Sequence, residues 1–319
     1  MNDSHESATA SLNPAKPRVG APGRPDLPSK FWLGTAVLVL GFCAPLYQVV
    51  RFALHSELYS YILLVPFVSG YLAWLERDQL KAAGGPAHAG WSVLFLSVGS
   101  GFLLWYGLGV FAATKPDQQD QLALSMYAFV ALFWGVCCLS LDRRILGRLV
   151  FPLGFLLALA PLPRGAEDAL ETFLQNGSAL VSYVMFLTAR TPVFRDGTFF
   201  QLPGFALIVA PECSGIHSTV ALFITSLVAG QVLLRTRWRR AVLAFVVLPI
   251  AFLRNGFRVF VIGELCVHIS PDMINSYIHR HGGPIFFALS LIPFFAFMLW
   301  LLRSERRQSG RLPSPTPAS

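Results

Sequence analysis

Charge is scarce in this sequence: 13% of its 319 residues are Asp, Glu, Lys or Arg, against about 25% in an ordinary soluble domain. With 54% hydrophobic residues and a mean hydropathy of +0.56, that scarcity excludes a water-soluble globular chain and makes the bilayer its solvent. Cysteine is also sparse. The five, Cys43, Cys137, Cys138, Cys213 and Cys266, show no C-x-x-C spacing and no His-rich companion segment, which argues against a metal site. No cofactor or metal is expected. There is no internal repeat, which weakens an inverted-repeat transporter.

What charge there is leans basic, with a formal net charge of +8. The Lys and Arg stand in short blocks between apolar runs, a pattern that sets membrane orientation and does not call for nucleic acid. Residues 1–30 are rich in Pro, Ser, Gly and Ala and read as a disordered cytoplasmic tail without the features of a signal peptide. Residues 31–302 form the membrane domain, and 303–319 a basic, then Pro- and Ser-rich, cytoplasmic tail.

Crossing about 30 Å of hydrocarbon takes about 20 helical residues. Apolar runs of that order fall near 32–50, 58–75, 91–113, 122–141, 145–162, 213–234, 241–263 and 284–302. A further segment, Glu167 to Ala189, is helical in pattern but amphipathic, with Glu167, Asp168, Glu171, Gln175 and Asn176 in its first half. The four strongest basic blocks begin at Arg77, Arg143, Arg235 and Arg303. The positive-inside rule places them on one side, which eight spans achieve if the amphipathic segment stays at the outer interface. The expected fold is thus an all-α polytopic membrane protein of about eight transmembrane helices with an interfacial helix. Residues 191–210, with turns at Arg195-Asp196-Gly197 and Pro203-Gly204, add a small β-hairpin on the extracytoplasmic side. Extended backbone cannot face lipid, so the hairpin must cover or line a protein cavity.

Depth follows from counting back from the basic blocks at about 1.5 Å per residue. Cys213 stands about 33 Å from Arg235, Arg258 about 27 Å from Arg240, and His279 about 36 Å from Arg303. A thiol, a guanidinium and an imidazole from three spans therefore share the outer boundary of the core. Together they suit acyl transfer: a thiolate attacks a carbonyl, an imidazole moves protons and a cation stabilises the oxyanion. For Cys213 the bland alternative is a small buried residue at a helix start, the reading given to the other four cysteines. The setting Pro211-Glu212-Cys213-Ser214-Gly215 favours a strand-to-helix turn presenting the thiol at a helix N-terminus.

Arg254 and Arg258 lie on one helical face with Asn255 between them. An intramembrane arginine costs about 2.5–3.5 kcal/mol by insertion scales and marks a functional site by default; snorkelling to headgroups is the alternative for the shallower Arg258. Arg254 is deeper and calls for a buried partner. His217, one helical turn after Cys213 and so within local reach of the thiol, competes with His279 and His281 for the proton-transfer role. Glu212 can orient an arginine, though a surface carboxylate is its plain reading.

At these residues the chain resembles the exosortase and archaeosortase family, in order from about Ser56 to Leu302. The likeness rests on Cys213-Ser214-Gly215-Ile216 at the start of a span, Asn255-x-x-Arg258 in the next and His279-x-x-x-Gly283 before the last. Leu58-Tyr59-Ser60 through Trp74, Pro161-Leu162-Pro163, Leu174-Gln175 and Thr191-Pro192-Val193 fit upstream. The resemblance implies a membrane-embedded cysteine transpeptidase or protease, a hydrolase acting on membrane-anchored proteins with a C-terminal sorting signal. That signal comprises a Pro-containing motif, a transmembrane helix and a basic tail. Cys213 would be the nucleophile, Arg258 the oxyanion or substrate stabiliser and His279 the acid/base, with His217, Arg254, Asn255 and Glu212 in support. The chain departs from the family at His217, where an arginine usually stands, and at Tyr61, where a histidine is frequent. The expected setting is the bacterial inner (cytoplasmic) membrane, both termini cytoplasmic, the active site extracytoplasmic, with exopolysaccharide-assembly proteins as further partners. Two other readings remain: a secondary transporter binding an anion at the arginines, and a non-enzymatic assembly subunit of an envelope polysaccharide system.

Overall fold

A computed structural model describes residues 28–77, 89–107, 117–209, 214–270 and 283–309. The helices are α1 (Ser29–Gly41), α2 (Cys43–His55), α3 (Val65–Leu75), α4 (Ala89–Gly107), α5 (Gln118–Ser140), α6 (Arg143–Phe155), α7 (Arg164–Thr188), α8 (Ile216–Leu233), α9 (Arg237–Phe245), α10 (Val247–His268) and α11 (Gly283–Ser309). Single 3-10 turns at Ser60–Leu64 and Leu156–Leu159 flank α3 and α6. The protein is an integral membrane chain by its helices. Among the described residues four stretches are long and apolar enough to cross: α5, α8, α9 with α10, and α11.

The count rises to six if each of two bent pairs is one span. The first pair, α1 and α2, bends by 66° at Phe42. Pro45 sits in the first turn of α2, where a missing N–H breaks no helical bond. In the second, the α6 segment and α7 meet at 95° around Pro161 and Pro163, the latter being the N-cap of α7. Ser60–Leu75 and Gly90–Trp105 are shorter apolar helices. Six of the eight apolar runs in the sequence thus coincide with long or short apolar helices, and the other two, 32–50 and 145–162, fall within bent pairs.

Small residues set the packing, as expected where lipid removes the hydrophobic drive between helices. α5 is central: a Cβ on Gly99 of α4 would fall 2.6 Å from Leu132, one on Gly135 2.7 Å from Leu96, and one on Gly34 of α1 2.8 Å from Val136. The amphipathic α7 lies lengthwise on α10, burying Leu174, Ser178, Ala179, Ser182 and Phe186. Gly177 meets Phe252, Gly256 meets Val181 and Gly263 meets Phe186, while Ser182 Oγ donates to the Gly256 carbonyl at 2.9 Å. A Cβ at Gly256 would lie 2.7 Å from Val181 and 3.1 Å from the Ser178 carbonyl oxygen. Gly256→Val is therefore expected to destabilise the chain by about 1–3 kcal/mol, read as a lower melting temperature in detergent. Gly101→Ala, which meets nothing within 4 Å, serves as the control.

Between α7 and α8 the expected hairpin proves to be a three-stranded antiparallel meander: β1 (Phe194–Asp196), β2 (Phe199–Leu202) and β3 (Phe205–Ile208). Residues Phe194 to Asp196, taken as leading into and forming the first turn, pair instead with Gln201 to Phe199. The turn is carried by Gly197 at φ 58°, a left-handed backbone that glycine adopts without steric cost. Phe200, Leu202 and Leu207 face inward with Phe186 and Val259, so the sheet is seated on α7 and α10.

The basic blocks gather at one end of the bundle. Arg148 lies 3.6 Å from Glu76. Glu305 accepts hydrogen bonds from the Arg235 and Thr236 backbone at 3.2 and 2.9 Å, and Arg239, 2% exposed, donates to the Leu301 carbonyl at 3.2 Å and to Gln308 at 2.5 Å. The start of α8 lies some 27 Å away along its 18 residues, at about 1.5 Å each.

Candidate active site

The far end of α8 is where polar groups converge. Gly215, its N-cap, has φ 68°, a left-handed conformation that L side chains resist. Space demands glycine as well, because a Cβ there would lie 2.4 Å from both side-chain amide atoms of Asn255 and 2.6 Å from Arg254 Nη2. The backbone turn at Ser214–Gly215 is thus pressed directly against two polar side chains of α10.

Those side chains hold it. Asn255, 3% exposed, donates its amide to the Ser214 carbonyl. Arg254, 7% exposed, donates from Nη2 to the Gly215 carbonyl at 3.1 Å and to Thr219 Oγ1 at 3.2 Å, and from Nε to Asn255 Oδ1 at 3.0 Å. The Gly215 carbonyl also accepts from the Thr219 backbone N–H at 3.0 Å and its hydroxyl at 2.8 Å. From α7, Glu171 accepts the Ser214 hydroxyl at 3.3 Å. Burying a guanidinium and an amide in an apolar helix costs free energy unless they are hydrogen-bonded. Here one bond from each goes to the turn that follows position 213, Asn255 to the Ser214 carbonyl and Arg254 to the Gly215 carbonyl, while Arg254 Nη1 is buried without a hydrogen-bond partner among the described residues.

Arg258 is half-buried, one turn beyond Arg254 on the same face of α10, where i, i+4 neighbours meet. Arg254 and Asn255 therefore act as a clamp on backbone, and Arg258 is the member of the group placed further along the helix. Cys213, Glu212 and His279 lie outside the described residues, as does His281. His217 is 54% exposed in its side chain, with Nδ1 3.9 Å from Glu57. The spacing that would bring it under position 213 needs a helix running through 213–217, and α8 starts at Ile216 after the left-handed Gly215.

A second polar cluster adjoins the first along α7. Tyr59 donates its hydroxyl to Glu167 at 2.8 Å. Gln119 donates to the same carboxylate and, at 2.8 Å, to the Leu162 carbonyl. Glu167 and Glu171 are four apart, so one face of α7 carries both clusters. Sequence reasoning noted these carboxylates only as the polar side of an amphipathic helix. The usable signal was their i, i+4 spacing; that the polar face would be turned inward was not visible.

Among the described residues no group of three or more His, Cys, Asp or Glu could hold a metal ion. Cys137 and Cys138 are buried in α5, Cys43 is exposed and Cys266 is buried near the end of α10.

No curated protein and no solved structure matches the chain. The sequence model described as transmembrane exosortase matches residues 51–296, a stretch that includes α3 to α10, the clamped turn and about half of α11. The chain belongs to the transmembrane exosortase family.

Proposed function

We propose that this protein is a cysteine-dependent membrane transpeptidase or peptidase that cuts proteins bearing a C-terminal sorting signal of Pro-containing motif, transmembrane helix and basic tail. The observation that carries the reading is the clamp. Asn255 and Arg254 each donate one hydrogen bond to the Ser214–Gly215 backbone, which restrains the chain just after position 213. Such rigidity suits a nucleophile, since a misplacement of about 1 Å costs about a hundredfold in rate.

In the proposed reaction the Cys213 thiolate adds to the scissile carbonyl, forming a C–S bond. The Arg258 guanidinium meets the oxyanion, a role for which preorganised donors contribute about 10²–10³ in rate. Collapse of the tetrahedral adduct breaks the C–N bond, and the leaving amine takes a proton from His279. An acceptor hydroxyl or amine, or water, then gives its proton to His279 and displaces the thiolate from the thioester. The chain would cross the inner membrane in eight spans with both termini cytoplasmic, so that the clamped turn faces the extracytoplasmic side. Contacts that tie the described residues of the basic blocks together at the opposite end of the bundle support that orientation.

The thioester is directly testable. Membranes containing the full chain and an amino-terminally tagged substrate should yield a tagged adduct of the enzyme that hydroxylamine releases and that Cys213→Ala does not form. An adduct that persists in Cys213→Ala, or one resistant to hydroxylamine, would contradict the mechanism.

A further inference from the structure

At the opposite end from the clamp, α6, α8 and α9 enclose a cavity of about 480 Å³. Arg148, Arg237, Arg240 and Gln231 line it together with Val150, Phe151, Leu227 and Ala244. It is therefore basic and apolar at once, and no carboxylate is among the described residues that line it, although Glu76 and Glu305 lie near enough to act on Arg240. Arg240 is already oriented: its Nε donates to the Leu234 carbonyl at 2.8 Å and Nη1 to Gln231. Arg148 is offset by Glu76 at 3.6 Å, both partly exposed. Arg237 is exposed, and its side chain makes no hydrogen bond or ion pair with a described residue.

We propose that this cavity binds the headgroup of an anionic glycerophospholipid, its phosphodiester at Arg237 and Arg240 and the start of an acyl chain along the Phe151, Leu227 and Ala244 wall. Two features select a lipid over a small anion. A free phosphate would leave the apolar wall bare, whereas a phospholipid covers both surfaces with one molecule. The neighbouring Trp238, 58% exposed, is the side chain enriched at the headgroup level of membranes. Clustered arginines between spans on the positive side are a suitable anionic-lipid site, and guanidinium–phosphate bonds are among the stronger hydrogen bonds in proteins. A lipid seated here would join three helices, including α8, whose other end carries the clamped turn.

The test uses the purified full-length chain in a neutral detergent. Dioleoyl-phosphatidylglycerol, dioleoyl-phosphatidylcholine and inorganic phosphate are added separately, and bound lipid is counted by native mass spectrometry alongside the melting temperature. Phosphatidylglycerol should give a retained one-lipid species and a raised melting temperature; phosphatidylcholine and phosphate should give neither. Arg237→Gln should weaken phosphatidylglycerol retention at least about tenfold, the loss of one charge-assisted contact. Arg237 holds no other described group, so this variant keeps the site testable where Arg240→Gln would disturb the Gln231 and Leu234 contacts. Arg306→Gln, on the same basic end but outside the cavity, should retain the lipid. Equal retention of phosphatidylcholine, equal protection by phosphate alone, equal loss in Arg306→Gln, or undiminished retention in Arg237→Gln would each overturn the site.

Discussion

Gly215→Ala is expected to lower substrate processing about a hundredfold, the penalty for a reacting group displaced by about 1 Å. Two independent features require it. A left-handed backbone costs a non-glycine residue about 1–2 kcal/mol, and the new methyl would lie 2.4 Å from Asn255 and 2.6 Å from Arg254. Relief by backbone movement shifts the residue two positions earlier in the chain; relief by side-chain movement breaks the bonds to the Ser214 and Gly215 carbonyls. Gly165→Ala, which meets nothing within 4 Å, should process normally. The comparison is made on co-expressed tagged substrate, normalised to the amount of enzyme in the membrane. Unchanged processing in Gly215→Ala would show that the turn tolerates movement and that the clamp has no catalytic consequence.

A similar loss is expected for Asn255→Ala, for a different reason. Its amide reaches the Ser214 carbonyl while its oxygen accepts from Arg254, so truncation leaves two buried groups short of a partner, at about 1–3 kcal/mol each. Asn255→Asp separates geometry from volume: it keeps the shape and the acceptor for Arg254 but, when ionised, has no proton to donate to the Ser214 carbonyl. Asn255→Asp should therefore retain membrane levels better than Asn255→Ala yet process about tenfold or more below wild type, a loss of one hydrogen bond to backbone worth roughly 1–1.5 kcal/mol. A positioning role predicts that kcat falls more than KM rises. If processing by Asn255→Asp equals wild type, donation to the Ser214 carbonyl is not what holds the site.

The membrane class, the helices and the crowding of arginine at one end were legible because each depends on local composition and on a count of residues along a helix. Arg254 and Asn255 stood out for the same reason, as polar groups inside an apolar run that must find partners. Which groups they bind was not legible. The Ser214 and Gly215 carbonyls lie about 40 residues upstream, and only the tertiary approach of α10 to α8 brings them together. Gly215 resembled a helix-boundary residue and gave no sign of the pressure from α10. The third strand escaped because Arg195-Asp196-Gly197 has turn composition, whereas pairing of Phe194 to Asp196 with β2 is a tertiary choice. The 66° bend at Phe42 likewise interrupts the apolar run 32–50, and the 95° bend separates the run 145–162 from the amphipathic segment that follows it.

The central claim is that the clamp exists to position a thiol at residue 213, and the most direct measurement is processing of a tagged protein ending in a Pro-containing motif, an apolar helix and a basic tail. It is compared across wild type, Cys213→Ala and Cys213→Ser at matched membrane levels. The account predicts a size shift with wild type and none with either variant. Processing that continues without the thiol would contradict it.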